Sequence, residues 1–511
     1  MKVDLSVIDF LDRAETVFPD RVVFVDEPDQ IAESWGEVTG AEFARRARNQ
    51  AAHLDALGIG VGERVAIISQ NSARLACGFF GVSGWGRVYV PVNFRLSPAE
   101  VAYIVDHCGA TVLLYDPELA DTVADLDVAH KVMLGTDSDV EWFFTDGEPA
   151  PWEPDEDATA TINYTSGTTA RPKGVEQTHR SLWLNASTFG WHAGVNERDV
   201  YLHTLPMFHC NGWGMVYASL GMGVKQVVLR KVDGAEILRR IDRHGVTFAC
   251  AAPAVVAAAL EAAPEFDPVP GRDRMRVIVA GAPPPTQTIE RVEAELGWEF
   301  IQIYGLTETA PLMTMNRCRS EWDDLAPSER ASNLAAAGSP TIGMRVSVDA
   351  YGEVLARGNH VLEGYWAQPE ATAAAIVDGG SIICVSSLNA RQPGTGMASY
   401  CAAKAGVTML VEVAALELAP RGVRVNAVQP GFVDTPLTEG VGFIPGLRQD
   451  YLDNTPLGRA GTPEDVAATI TFLASDQTAW MTGAALDIGG GSHLQRYPDV
   501  LDRVRALMAP G

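Results

Sequence analysis

Residues 164–174 read YTSGTTARPKG, a run that packs four serine and threonine hydroxyls, two glycines and a lysine into one short loop. Glycines permit the positive φ angles that let backbone N–H groups converge on an anion, hydroxyls add short donors, and Lys173 supplies charge. Such a loop can cradle phosphates. A polar surface loop of similar composition is the competing interpretation for any one short motif, so the surrounding chain has to decide. Outward from the loop, apolar positions recur at helical spacing from Ala41 to Leu57, a glycine-rich turn follows, and Glu63 to Ile68 is a β-branched run. Helix followed by strand repeats at Pro98–Cys108 and Ala110–Tyr115, and again at Ala235–His244 and Val246–Ala251. The pattern predicts an α/β fold, with a large doubly wound sheet over roughly the first 310 residues.

Three further segments strengthen the loop's meaning because they fall in a fixed order. Pro206-Met-Phe-His-Cys-Asn-Gly-Trp213 and Tyr304-Gly-Leu-Thr-Glu-Thr309 place rings, hydroxyls and a carboxylate near glycine or proline, and Gly281-Ala-Pro-Pro-Pro285, a glycine–proline run, lies between them. Together with residues 164–174 they resemble the phosphate loop, acyl-pocket, adenine and site-closing motifs of acyl-CoA synthetases and related adenylate-forming ligases. Ala170 departs from the glycine common in that loop. The resemblance implies that Thr165, Ser166, Gly167, Thr168, Thr169 and Lys173 hold phosphates, and that Gly281, Ala282 and Pro283 lie against adenine, on which Tyr304 stacks. It also implies that His209 sits near the acid's carboxylate, that Thr307 bonds the phosphoryl or acyl carboxylate, and that Glu308 is the Mg²⁺ ligand. A flat ring for a base, a hydroxyl for developing charge and a hard oxygen for magnesium are what such chemistry needs. ATP and a carboxylic acid are then the small-molecule partners, with coenzyme A as a further substrate.

The pattern changes at Gly379 and Gly380. Gly358 to Gly379 resembles the approach to the ligase lid, but the family's Trp-x-x-Thr-Gly-Asp continuation, its hinge residue and its lid lysine have no counterpart. Gly379 to Lys404 instead resembles the middle of a short-chain dehydrogenase. Tyr400 and Lys404 stand one helical turn apart, where an ammonium can lower a phenol's pKa, and Ser387 lies thirteen residues upstream at a strand end. The resemblance implies Tyr400 as general acid/base, Ser387 orienting the substrate oxygen, Lys404 assisting, and Pro430, Gly431 and Thr435 near a nicotinamide. No Thr-Gly-x-x-x-Gly-x-Gly element follows a strand in this half, so NAD(P) has little to hold it. A genetic join that removed the end of one enzyme and the start of another accounts for both gaps.

The organisation expected is ligase-like α/β subdomains over 1–311, a β-rich subdomain over 312–379, a truncated dehydrogenase-like half of a Rossmann-like sheet over 380–492, and a tail over 493–511 with helical spacing. Strands are expected at Ser381–Val385, Val423–Val428 and Ala484–Ile488, and helices at Ser399–Leu418 and Tyr497–Met508. The strand Ser381–Val385 would be left with an unpaired apolar edge, which invites homo-oligomerisation. Composition sets the remaining bounds. A chain of 511 residues with 47% apolar and 20% charged residues is globular and large enough for several domains. A formal charge of −26 argues against nucleic acid or an anionic membrane as partner. The N-terminus carries an acidic residue at position 4 and no sustained apolar stretch, and the apolar run Phe248–Leu260 contains Pro253 and is too short to span a bilayer. Seven scattered cysteines without metal-ligand spacing suggest buried thiols in a reducing, cytoplasmic setting. The expected activity is ATP-dependent activation of a fatty or aromatic acid as acyl-adenylate, impaired by the missing lid. The alternatives are an NAD(P)-dependent dehydrogenase/reductase and an inactive fusion.

Overall fold

The computed structural model describes residues 3–508 except 136, 166–170, 349–351, 377–379 and 420–421. The chain divides into two compact units, residues 1–369 and 370–511. Helix and strand lie where the periodicity places them, and the local reasons are visible at their ends. The helix Pro98–Cys108 starts with a reciprocal Ser97–Glu100 capping box and stops at Gly109, whose φ of 62° no β-carbon resists. The helix Gly40–Ala56 begins with the same device, built from Thr39 and Glu42.

The strands of the first unit sort into two large sheets, where periodicity along the chain suggested one. The nine-stranded sheet has a parallel centre formed by Glu299–Gly305, Arg276–Val279, Phe248–Ala251, Val200–His203, Lys225–Val228 and Val22–Val25. Antiparallel strands close its ends, Leu312–Asn316 and Ser339–Pro340 on one side and Glu37–Thr39 on the other. In the seven-stranded sheet, Thr159–Thr165, Val88–Val92, Arg64–Ile68, Ala110–Tyr115 and His130–Met133 run parallel, and Lys173–Thr178 and Gly364–Tyr365 add antiparallel strands. Both sheets obey the same helix–strand alternation, so a local pattern cannot separate them; the split depends on which strands pair. Aromatic packing fills the space beside them. Phe24 stacks on Phe43 at 4.5 Å and Phe79 meets Tyr89 edge-on at 4.9 Å, all four fully buried. Arg345–Val348 and Val354–Arg357 form a separate two-stranded ribbon.

The second unit is a three-stranded parallel sheet in the order Ser381–Val385, Arg424–Pro430, Ala485–Ile488. Its core is small, formed by Val411, Ala415, Val423, Val425 and Ala427 between the helix Ala398–Leu418 and the sheet. Among the described residues Ser381–Val385 pairs only with Arg424–Pro430, and Ile382 and Val385 are 45% and 50% exposed. The tail forms a helix, Val500–Met508. No helix among the described residues is long and apolar enough to cross a membrane. All seven thiols are free, but only Cys77, Cys108, Cys210 and Cys250 are buried; Cys318, in the loop after the strand Leu312–Asn316, and Cys384 and Cys401 are half-exposed.

Candidate active site

The hydroxyl-rich loop joins two antiparallel strands, with Thr165 paired to Lys173 across its base. Ser166, Gly167, Thr168, Thr169 and Ala170 lie outside the described residues. Thr165 and Lys173 line a cavity of about 500 Å³ together with His209, Cys210, Trp213, Gly281, Thr307, Glu308 and Tyr365. Residues from all four ordered motifs therefore converge on one cleft. Parallel strands deliver them: Arg276–Val279 runs into Gly281, and Glu299–Gly305 into Thr307 and Glu308. Gly305 admits no other residue, because a β-carbon there would stand 1.6 Å from the Pro311 carbonyl oxygen. Tyr304, 36% exposed, and the exposed Ala282 and Pro283 stand outside the cavity's lining, on the neighbouring surface.

The acyl-pocket motif has an unusual backbone. Cys210, Asn211, Gly212 and Trp213 all have left-handed φ, between 47° and 60°. Each non-glycine residue held there costs about 1–2 kcal/mol, so something must impose the turn. A buried amide network does. Asn211 donates to Thr161 and to Gln177, both at 2.9 Å, and accepts from Asn163 at 3.0 Å. Gln177 in turn donates to the Thr307 carbonyl at 2.7 Å. The network ties the two strands flanking the phosphate loop to the acyl-pocket turn and to Thr307. The Cys210 thiol lies 3.1 Å from the Thr307 hydroxyl, and burial pushes it up to about 12, so it remains protonated and inert as a nucleophile. His209 opens onto the cavity, yet the loss of water around it lowers its pKa and favours the neutral imidazole.

Glu308 and Lys173 share a neighbour. The Tyr365 hydroxyl donates to Glu308 Oε1 at 2.8 Å, and the Lys173 ammonium lies 4.8 Å from the centre of the Tyr365 ring. Burial, reinforced by the Glu308 carboxylate, pushes the phenol's pKa up, so it stays a donor. A carboxylate that shares a cavity with a lysine suits Mg²⁺, which is commonly held by one or two carboxylates and by phosphates. No cluster of three acidic, histidine or cysteine ligands occurs among the described residues. Gln177, Asn211, Asn163, Cys210 and Tyr365 were not singled out by motif reading. Tyr365 lies 57 residues from Glu308 and Gln177 lies 130 from Thr307, so no local spacing advertises either contact.

In the second unit Ser387, Tyr400, Pro430 and Gly431 line a cavity of about 280 Å³, and Thr435 lines a neighbouring one instead. Lys404 faces Tyr400, 5.9 Å from its ring centre, but its ammonium donates to the Val385 carbonyl at 2.9 Å. Ser387 caps a short turn by accepting from the Asn389 N–H at 3.2 Å. The tail supplies a wall that the sequence did not show: Tyr497 donates to Asn389 and meets the Tyr451 hydroxyl, both at 3.0 Å, with Arg496 and Pro498 beside it.

An α/β cleft lined by Thr165, Lys173, Glu308 and the turn at Cys210 and Trp213 fits the class of nucleotide-dependent acid-activating enzymes. Residues 11–366 match the family described as AMP-binding enzyme, and the chain belongs to that family. Residues 357–493 match the family described as enoyl-(acyl carrier protein) reductase. A long-chain-fatty-acid–CoA ligase of Thermus thermophilus is 34% identical, with 74% of each chain covered. A 4-hydroxybutyrate–CoA ligase of Metallosphaera sedula is 32% identical over 73% of this chain and 72% of that one. Among solved structures, the inhibitor-bound N-terminal domain of FACL13 from Mycobacterium tuberculosis has a TM-score of 0.64 at 30% identity, covering 73% of this chain and 94% of that one. The O-succinylbenzoate coenzyme A synthetase of Bacillus subtilis in complex with AMP has a TM-score of 0.61 at 26% identity, covering 72% and 91%.

Proposed function

We propose that the first unit activates a carboxylic acid with MgATP, forming an acyl-adenylate and pyrophosphate, and that onward transfer to coenzyme A is impaired. The observation that carries this reading is the convergence of Thr165, Lys173, His209, Thr307 and Glu308 on one cleft. In it, Lys173 and the loop after Thr165 hold the phosphates, Tyr304 and residues 281–283 receive the adenine, and His209 and Thr307 face the acid. Attack of the carboxylate on the α-phosphorus forms the C–O–P linkage and expels pyrophosphate. Mg²⁺ held by Glu308 would neutralise phosphate charge at that step. Trp213 at the cavity wall favours a short, medium or aromatic acid.

The impairment follows from what continues the chain. Where the ligases continue into a lid that completes the site and admits the thiol, this chain continues into the reductase-like segment. The cytoplasm is the setting that this chemistry and the free thiols suit. Exchange of labelled pyrophosphate into ATP, measured on the full chain with a panel of acids, tests the proposal. The expected result is acid-dependent exchange that falls to background in the Lys173→Ala, Glu308→Gln double variant. Exchange that is absent for every acid, or equal in that variant, would refute it. Under the same conditions NADH and NADPH should remain unoxidised in the presence of simple ketones or 3-ketoacyl thioesters; oxidation abolished by Tyr400→Phe would favour the reductase reading instead.

A further inference from the structure

We propose that Tyr365 is a positioning residue for the metal-dependent step, its hydroxyl orienting the Glu308 carboxylate for Mg²⁺ while its ring seats the Lys173 ammonium. The inference rests on the acid-activation reading above and adds to it a residue that none of the ordered motifs contains. Tyr365 occupies a two-residue strand, Gly364–Tyr365, paired antiparallel with the strand that starts at Lys173. Its flanks are fastened at both ends of the site. The Trp366 N–H donates to the Gly174 carbonyl and the Leu362 N–H to the Glu308 carbonyl, each at 2.7 Å. The segment therefore staples the base of the phosphate loop to the turn that carries Glu308.

The side chain uses that placement. Only 8% exposed, Tyr365 spends its hydroxyl on one oxygen of Glu308, a residue that lines the cavity beside it. A carboxylate held by one hydrogen bond keeps a fixed rotamer and presents a single oxygen to a cation, which is how outer partners of metal ligands act. The ring meanwhile attracts Lys173 to its face, so the cation and the carboxylate are held apart by one rigid phenol instead of neutralising each other as an ion pair. A Glu308–Lys173 salt bridge would cost the site both its metal ligand and its phosphate cation. Tyr365 prevents that contact and spaces the two charges for a triphosphate and its metal.

Mn²⁺ titrated into the full chain with saturating non-hydrolysable αβ-methylene ATP, followed by the electron paramagnetic resonance of free Mn²⁺, reads the metal site without turnover. Tyr365→Phe is expected to weaken Mn²⁺ binding about tenfold, in line with the loss of a partner to a metal ligand. The Mg²⁺ dependence of pyrophosphate exchange should shift in parallel, while the KM for the acid stays within about twofold, a split that a loss of folded protein would not produce. Tyr365→Leu should in addition raise the KM for ATP about threefold, through the lost seat for Lys173. Because Tyr365 acts through Glu308, adding Tyr365→Phe to Glu308→Gln should weaken Mn²⁺ binding no further. Equal Mn²⁺ affinity in wild type and Tyr365→Phe, or full additivity of the two substitutions, would overturn the inference and leave the acid-activation reading standing. Absence of nucleotide-dependent Mn²⁺ uptake by the wild type would overturn the metal site and this inference with it.

Discussion

Asn211 is the second of five successive left-handed residues, Cys210 to Gly214, with its side chain completely buried, and its backbone and side chain make separate demands. Asparagine tolerates left-handed φ better than most residues, and its amide satisfies Gln177 and Asn163 at once. Replacement by alanine keeps the strain, removes the donor to the Gln177 side-chain carbonyl and leaves Asn163 with its bond to the Phe208 carbonyl, so Asn211→Ala should destabilise the protein by about 2 kcal/mol or more. Asn211→Gly loses the same hydrogen bonds but relieves the backbone, and should recover about 1 kcal/mol of that loss. Chemical denaturation of both variants measures the difference. Identical midpoints would mean that the turn is held by packing of Trp213 and its neighbours and not by the amide. His209 and Cys210, carried on the same turn, gain their places from this network although nothing at their own positions specifies it.

At the scale of elements, the strand Ser381–Val385 has the composition of an interior strand and the position of an edge. Strands of parallel sheets are apolar because both faces and both edges are normally covered. Here one edge has no described partner, and Ile382 and Val385 reach solvent. The expected consequence is self-association through that edge, since an open row of N–H and C=O groups flanked by apolar side chains templates further pairing. Light scattering at increasing protein concentration should show assemblies that diminish in an Ile382→Lys, Val385→Lys variant. A monodisperse monomer for the unmodified chain would show that the edge is protected. The position of this strand, like those of the helices Pro98–Cys108 and Ala398–Leu418, could be recognised from periodicity and punctuation alone. Its being an edge could not, because that depends on which other strands the chain supplies.

For the whole molecule, the decisive fact is that residues 11–366 match the AMP-binding enzyme family while residues 357–493 match a different family. Replacing the chain from Glu370 onward with an intact ligase lid should raise thioester formation by several orders of magnitude, about what restored electrostatic positioning and closure can supply. Acyl-CoA appearance across short, medium and aromatic acids is the readout. If the graft stays as slow as the parent while pyrophosphate exchange persists in both, the defect lies in the first unit's access for the thiol and not in the absent lid.

What the sequence determined by itself was the order of its motifs: a hydroxyl- and glycine-rich loop ending at Lys173, Glu308 and Thr307 on one turn, Tyr400 and Lys404 one helical turn apart, and the change of pattern at Gly379 and Gly380. These are short-range relations, set by neighbours a few residues away, and local rules govern them. Tertiary structure alone decided that the strands form two sheets, that Gln177 and Asn211 bind the phosphate strands to the acyl-pocket turn, that Tyr365 stands between Lys173 and Glu308, and that Tyr497 walls the second cavity. Each of these joins residues tens to more than a hundred positions apart. Such contacts are selected by the packing of the whole unit, in which a buried polar group must find a partner wherever the fold brings one.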